Sequence, residues 1–356
     1  MTPYERVVRA VRHQRADRLP IDYSATPEAH AALKKHLAVA DDEALLRRLG
    51  CDIRLVRGRY VGPPDTVDAP GVTAAGKDFL GVVWKPVKNQ FATYNEIAFH
   101  PLAQATTVRE IEDYPWPSVD WFDYSHLSAE IDRINRQQRY CITFFVGGAF
   151  ETPWYMRGLA RFLTDLLEYP DIAEAISRRA TQFYKQRALR AIEQSKGKID
   201  LVYSGGDIGT QRGMMLAPDL WRRHIKPYSS ELIRTFKDMG LMTMYHSCGS
   251  IVPVIEDLIE MGLDILDPIQ PRAEGMRPED LKAQFGDRLT FHGGIDEQHL
   301  LPHGTPEAVR KEVVRLMEML GSDGAYIVCP AHAIQPDTSP ENIMAIYDTA
   351  LGYHWP

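Results

Sequence analysis

Eight short apolar segments punctuate this chain, and they constrain its fold more than any other feature. They span 19–23, 52–56, 140–146, 201–204, 242–246, 265–269, 289–292 and 325–329. Each has the length of a strand, and stretches of helical period lie between the later ones. Ile251, Val254, Ile255, Leu258 and Ile259 fall on one helical face, and Val309, Val313, Leu316 and Leu320 repeat the spacing. Strands that alternate with helices run parallel, because a parallel pair needs a long crossover connection. Eight such strands predict a (β/α)8 barrel rather than an open sheet. The region from about 58 to 125 breaks the rhythm. It is rich in proline and aromatic residues, with 79–86 and 92–99 reading as a hairpin. It reads as an insertion over the barrel mouth, and the whole chain, 1–356, as a single domain.

Nearly every predicted strand ends in polar or small residues. The third runs into Gly147-Gly148-Ala149-Phe150-Glu151 and the fourth into Gly205-Gly206-Asp207-Ile208-Gly209-Thr210-Gln211. The next four end in His246-Ser247-Cys248-Gly249, Asp267-Pro268-Ile269-Gln270, His292-Gly293-Gly294-Ile295-Asp296 and Cys329-Pro330-Ala331-His332. In a barrel these tips converge on one mouth, where active sites lie.

The His246-Ser247-Cys248 triplet carries the most specific chemistry. A His and a Cys two apart at a strand end point the same way, because side chains alternate with period 2. With Cys329, which the barrel brings alongside, they make an open zinc site of one imidazole and two thiolates, with one exchangeable position. The competing reading is that Cys248 and Cys329 are small core residues, as free cysteines often are. Glu151 and Asp207 follow Gly-rich turns at adjacent strand ends and are the candidate catalytic carboxylates. A plain ion pair for Glu151 and a turn cap for Asp207 are the alternatives. Gln211, Tyr203, His332 and Trp154 are candidate substrate contacts, against structural roles as loop or core residues. Arg157 and Arg161 share a helical face that either meets solvent or touches a partner.

Composition narrows the function classes. The net charge of −7 argues against a nucleic-acid binder and against an anionic-membrane surface protein. No apolar run approaches the roughly 18–20 residues that span a bilayer, and the first residues show no apolar leader. Four scattered cysteines do not make a disulfide framework. Reduced thiols in a cytoplasmic protein are the expectation. Neither a GxGxxG after the first strand nor a GxxxxGK[ST] occurs, so no nucleotide cofactor is expected.

Long stretches resemble the uroporphyrinogen decarboxylase superfamily, in particular its branch of cobamide (corrinoid)-dependent methyltransferases. They are ERVVRAVRHQRADRLPIDY at 5–23, GAFETPWYMRGLARFLTDLLEYP at 148–170, GDIGTQRGMMLAPDLWRRHIKPY at 206–228, HSCGSIVPVIEDLIEMGLDILDPIQ at 246–270, FGDRLTFHGGIDEQHLL at 285–301 and AHAIQPDTSPENIMAIY at 331–347. The resemblance implies a (β/α)8 barrel. It also implies zinc on an H-x-C plus a distant Cys, which here are His246, Cys248 and Cys329. It further implies a corrinoid, carried by a partner protein, and a small methyl donor (an ether or amine) or thiol acceptor. A homodimer is the assembly to test. Two departures matter. Uroporphyrinogen decarboxylases carry an RQAGR segment after the first strand, whereas residues 23–28 here read Tyr-Ser-Ala-Thr-Pro-Glu. Without those cations a polycarboxylate substrate loses its anchor. The FETPWYMRG segment at 150–158 resembles members that demethylate ethers or amines, whereas the zinc triad resembles members that methylate thiols. The direction of transfer therefore stays open. The alternative activity is a metal-free carboxy-lyase acting on a different acid.

Overall fold

The structure, a computed structural model, describes residues 1–68, 75–88 and 93–353. Seven parallel strands follow one another in a single sheet: β1 (Ile53–Val56), β2 (Cys141–Gly147), β3 (Leu201–Gly205), β4 (Met242–His246), β5 (Ile265–Ile269), β6 (Thr290–Ile295) and β7 (Tyr326–Pro330). Their order in the sheet is their order in the chain, and every neighbouring pair is parallel.

The expected first strand at 19–23 is reduced to a bridge, Ile21 to Val328. Its reason is local. Pro20 has no N–H to give a ladder, and the Ile21 N–H is taken by the Asp52 carboxylate at 2.9 Å. The segment still joins both edges of the sheet. Asp22 N–H donates to Val328 and Val328 N–H to Pro20 on one side, and Asp52 N–H donates to Ile21 on the other. These bonds close the (β/α)8 barrel.

Period-2 alternation then layers the interior. Ile53, Cys141, Leu201, Met244, Ile265 and Ile327 pack with Val7 of the helix Pro3–Val11 into an apolar floor. Two residues further along each strand, Leu55, Thr143, Tyr203, His246, Asp267 and Cys329 line a cavity of about 260 Å³. His292 joins them from β6. One step along the strands thus turns an oily plug into a polar chamber.

The insertion behaves as its sequence suggests. Val83–Lys88 pairs antiparallel with Thr93–Phe99. The expected second arm began at Ala92, which lies outside the described residues. Residues 79–82 form a turn instead of strand, because Asp78 accepts from the N–H groups of Leu80 and Val82 and from the Trp84 indole. Tyr94 donates to Gln335, just past β7, so the hairpin leans over the mouth. Arg157 is neither solvated nor facing a partner: it is fully buried, bonded to Asp165 at 2.6 Å and to the carbonyls of Leu102 and Ala105. Among the described residues no helix is long and apolar enough to cross a membrane.

Candidate metal centre

His246 ends β4, and in the sheet register it sits beside Asp267 of β5. Its Nδ1 is 2.7 Å from Asp267 Oδ2. A carboxylate needs a proton there, so Nδ1 carries it and Nε2 is the nitrogen that would give up its proton to a metal. That nitrogen faces Cys248 Sγ at 3.5 Å. Zinc bond lengths of 2.0–2.3 Å place two donors on one tetrahedral ion roughly 3.3–3.7 Å apart. The pair is therefore spaced as two ligands of one ion would be.

The turn that delivers Cys248 is tied down on several sides. Cys248 N–H donates to Asp207 Oδ1 at 2.8 Å, Gly249 N–H to Gln270 at 2.8 Å, and the Ser247 hydroxyl accepts from Ile208 N–H. Gly249 has a φ of +80°, and a Cβ there would meet the Thr210 carbonyl oxygen at 2.6 Å. Only glycine takes that position without strain.

The third donor is His332. Among the described residues, ligand atoms of His246, Cys248 and His332 lie within 4.8 Å of one another. This geometric group differs from the expected set. Cys329 lines the same cavity but stands outside this group, and His332, expected to touch substrate, stands inside it. The physical reason is the neighbouring strand. Cys329 is paired with Gly294 in the register, two residues past His292, and its thiol lies within electrostatic reach of that imidazole. Burial pushes the Cys329 thiol up to about 11 despite His292. His332, in the loop beyond, turns its ring to within 6.0 Å of the His246 ring, centroid to centroid.

Asp267 is the hub behind this group. It accepts from the Tyr203 hydroxyl at 2.7 Å, from His246 at 2.7 Å and, through its other oxygen, from His292 Nδ1 at 2.5 Å. His292 Nε2 reaches Asp22 Oδ2 at 3.2 Å. Burial alone would raise the Asp267 pKa, but the two imidazoles hold it far below the usual carboxylate range. Burial likewise opposes charge on His246, yet Asp267 and Cys248 more than offset it and raise its pKa. His332 goes the other way, lowered by burial and by His246. Tyr203 thus supports the cluster from the cavity wall, where the sequence suggested a substrate contact.

The remaining candidates sit around this core. Asp207 Oδ1 is 3.5 Å from His246 Nε2, beside the ligand group. Glu151 opens the helix Glu151–Arg157, where Tyr155 donates to it at 3.0 Å and Asp207 lies close by. Burial, then the charge of Asp207, raises its pKa to about 7. The two carboxylates are therefore neighbours, though neither borders the 260 Å³ cavity. Gln211 is committed to Gln270 at 3.2 Å, and Trp154 packs edge-on to Tyr155 at 4.3 Å; neither borders the cavity. Asp22 was missed in the sequence. Its signal was available, since it ends the 19–23 segment where the other strands carry polar tips.

Fold and site together define a class: a parallel (β/α)8 barrel with a His/Cys/Asp cluster at the C-terminal ends of its strands. The sequence pattern of the uroporphyrinogen decarboxylase (URO-D) family matches residues 100–353, and the chain belongs to that family. Relatives include the uroporphyrinogen decarboxylase of an Anaeromyxobacter species, 24% identical over 59% of this chain and 58% of the relative. The enzyme of Pseudoalteromonas translucida is 35% identical over 21% of this chain and 22% of the relative. These alignments thus span from about a fifth to under three-fifths of the relatives' lengths. Among solved structures, a methyltransferase from Methanosarcina mazei superposes with a TM-score of 0.72 over 98% of both chains, at 15% identity. That likeness concerns the fold.

Proposed function

We propose that this chain is a zinc-dependent methyltransferase. It moves a methyl group between a corrinoid, supplied by a partner protein, and a small substrate in the barrel cavity. The observation that carries the reading is the His246–Cys248 pair, 3.5 Å apart, with His246 oriented by Asp267. A metal-binding His held by a carboxylate through its other nitrogen is the usual design of such centres. His246, Cys248 and His332 would hold the zinc, leaving a fourth position for substrate. Cys329, on the same cavity wall, is the alternative third ligand. Zinc there supplies Lewis acidity to the reacting sulfur or oxygen of the substrate.

The chain's own residues do the rest. Asp267 keeps the proton on His246 Nδ1, so Nε2 stays a donor. Leu46, Ile53, Leu55, Met244 and Pro268 keep much of the cavity wall apolar. That lowers the local dielectric around the reacting atoms. Glu151, with its pKa near 7, stands outside the cavity beside Asp207, so it would deliver a proton to a departing alkoxide or phenoxide only on the Asp207 side of the ligand group. The cavity, about 260 Å³, falls just below the roughly 300–1,000 Å³ typical of small-molecule sites. A small substrate fits inside it, whereas a macrocycle stands at the mouth.

The carboxy-lyase alternative has less support. The residues bordering the cavity include Asp22 and Asp267 but no Lys or Arg. A substrate with several carboxylates finds only imidazoles there, two of them already held by Asp267. Metal analysis of the purified protein tests the reading, followed by spectra for conversion of methyl-Co(III) to Co(I) with candidate thiols, or the reverse with candidate methyl ethers. A metal-free protein that converts neither would end it.

A further inference from the structure

The inserted hairpin reaches both flanks of the metal group. On one flank its Trp84 is pinned by Asp78 at 2.7 Å and stands edge-on to Tyr155, ring centroids 5.3 Å apart. Tyr155 in turn holds Glu151, close to the Asp207 carboxylate that accepts from Cys248 N–H. On the other flank Tyr94 donates to Gln335 at 3.0 Å. In the hairpin register Trp84 faces Ile97 and Val87 faces Tyr94. The two contacts are therefore three residues apart along the arm, about 10 Å of strand. A ribbon of that reach, fixed at both places, crosses part of the mouth.

The barrel side of the Tyr94 contact gives it a consequence. His332 is the exposed member of the ligand trio, whereas His246 and Cys248 are half-buried. An exposed side chain gets little orientation from packing, so its backbone has to restrict it. The His332 loop is anchored before that residue by Ala331 N–H on the Ile295 carbonyl. It is anchored after it by Ile334 N–H on Ser24 and Thr26 N–H on Ile334. Between those anchors the Gln335 side chain holds the Ala333 carbonyl, Nε2 donating at 2.8 Å. The other end of the same amide, Oε1, accepts from Tyr94. The oxygen and nitrogen of an amide diverge from one planar carbon, so fixing one aims the other. Tyr94 thus turns the donor end of Gln335 toward the residue next to His332. Neither Tyr94 nor Gln335 borders the cavity, so both act through the loop.

We propose that the hairpin is a strap across the barrel mouth, and that Tyr94 and Gln335 are positioning residues that keep His332 in the metal group. This rests on the reading of His332 as a zinc ligand. The test is zinc release from the intact, loaded protein to an excess of a chromophoric chelator, without turnover. Tyr94→Phe should speed release about fivefold, the scale of one neutral hydrogen bond. Gln335→Ala loses both bonds and should speed it about ten- to hundredfold, the scale of an outer contact to a metal ligand. Gln335→Glu keeps an acceptor for Tyr94 but has no donor for Ala333, and should behave like Gln335→Ala. In the Co(II)-loaded protein the visible bands, which report the ligand set, should shift in both Gln335 variants. All three variants should still saturate with zinc as the unaltered protein does, at an unchanged melting temperature. Glu96→Ala, on the same arm of the hairpin but away from the latch, should leave the rate alone. Release within about twofold of the unaltered protein in Tyr94→Phe and Gln335→Ala overturns the proposal. So does a Glu96→Ala rate that rises as much as theirs. If Gln335→Ala lowers the melting temperature, Tyr94→Phe alone decides. An unaltered protein that holds no zinc takes down this inference together with the zinc reading. Zinc content separates that case from an unchanged release rate in a zinc-bearing protein, which overturns the strap and leaves the methyltransferase reading standing.

Discussion

His246 sits at the intersection of two networks, and which nitrogen serves which network decides what the residue can do. Nδ1 belongs to Asp267 and Nε2 to the ligand group. The sequence exposed this half of the site because strand alternation alone aims residues 246 and 248 together. It named Cys329 as the third ligand and gave His332 only a substrate contact. Which of the two joins the group depends on how the chain leaves β7 and where the neighbouring strands set the thiol, both of which are tertiary facts. Zinc content decides the matter. Alanine at His246 or Cys248 should abolish stoichiometric zinc, and His332→Ala should do the same, while Cys329→Ala retains it. If instead Cys329→Ala loses the metal and His332→Ala keeps it, the thiol swings to the ion on loading and the geometric trio is not the ligand set. The same scale governs Glu151. Its raised pKa means that the proton-bearing form prevails below about pH 7 and is lost as pH rises through that value. If Glu151 acts as the acid, kcat for an ether donor should fall above about pH 7. Glu151→Gln should lower it by about 10²–10⁴-fold and flatten that limb. A mild effect with a thiol acceptor and a severe one with an ether would fix the direction of transfer.

At the scale of elements, the barrel closes through its weakest strand. Alternating apolar segments made seven strands legible almost to the residue, because each is buried against helices outside and a floor or cavity inside. The eighth was named and placed, but its form was not. Pro20 and the side chain of Asp52 take it out of the ladder, and no apolar periodicity reports on that. Asp52 is fully buried and holds the closure together. It accepts from Arg6 at 3.1 Å, from Arg18 at 2.6 and 3.1 Å, and from Ile21 N–H at 2.9 Å. Removing its charge leaves Arg6 and Arg18 without their buried counter-ion. Asp52→Ala should therefore destabilise the fold by about 3–5 kcal/mol, the cost of breaking a buried charge network. Chemical denaturation measures it. A loss under about 1 kcal/mol, the range of exposed ion pairs, would show that the closure does not depend on this carboxylate.

For the molecule as a whole, the question is what kind of ligand this family member admits. Its URO-D relatives are decarboxylases by name, and the shared barrel does not by itself say which chemistry the cavity runs. The charge layout does bear on it. The metal cavity holds two carboxylates and no Lys or Arg, while Arg57, Arg59 and Arg133 line a separate outer cleft that also borders Leu55. A polycarboxylate entering the cavity would lose its hydration and meet Asp22 and Asp267, with only imidazoles to answer its charge. The loss of arginine at 23–28 hinted at this. The rest was hidden, because only the fold shows which side chains share a space. Incubation with uroporphyrinogen under conditions where a bona fide decarboxylase is active should give no less-carboxylated porphyrinogen at any pH from about 6 to 8. Chromatography of the oxidised products reads the result. Formation of even the first decarboxylation product at a rate above background would mean that the arginines of the outer cleft serve this substrate, and the methyltransferase reading would yield to the lyase.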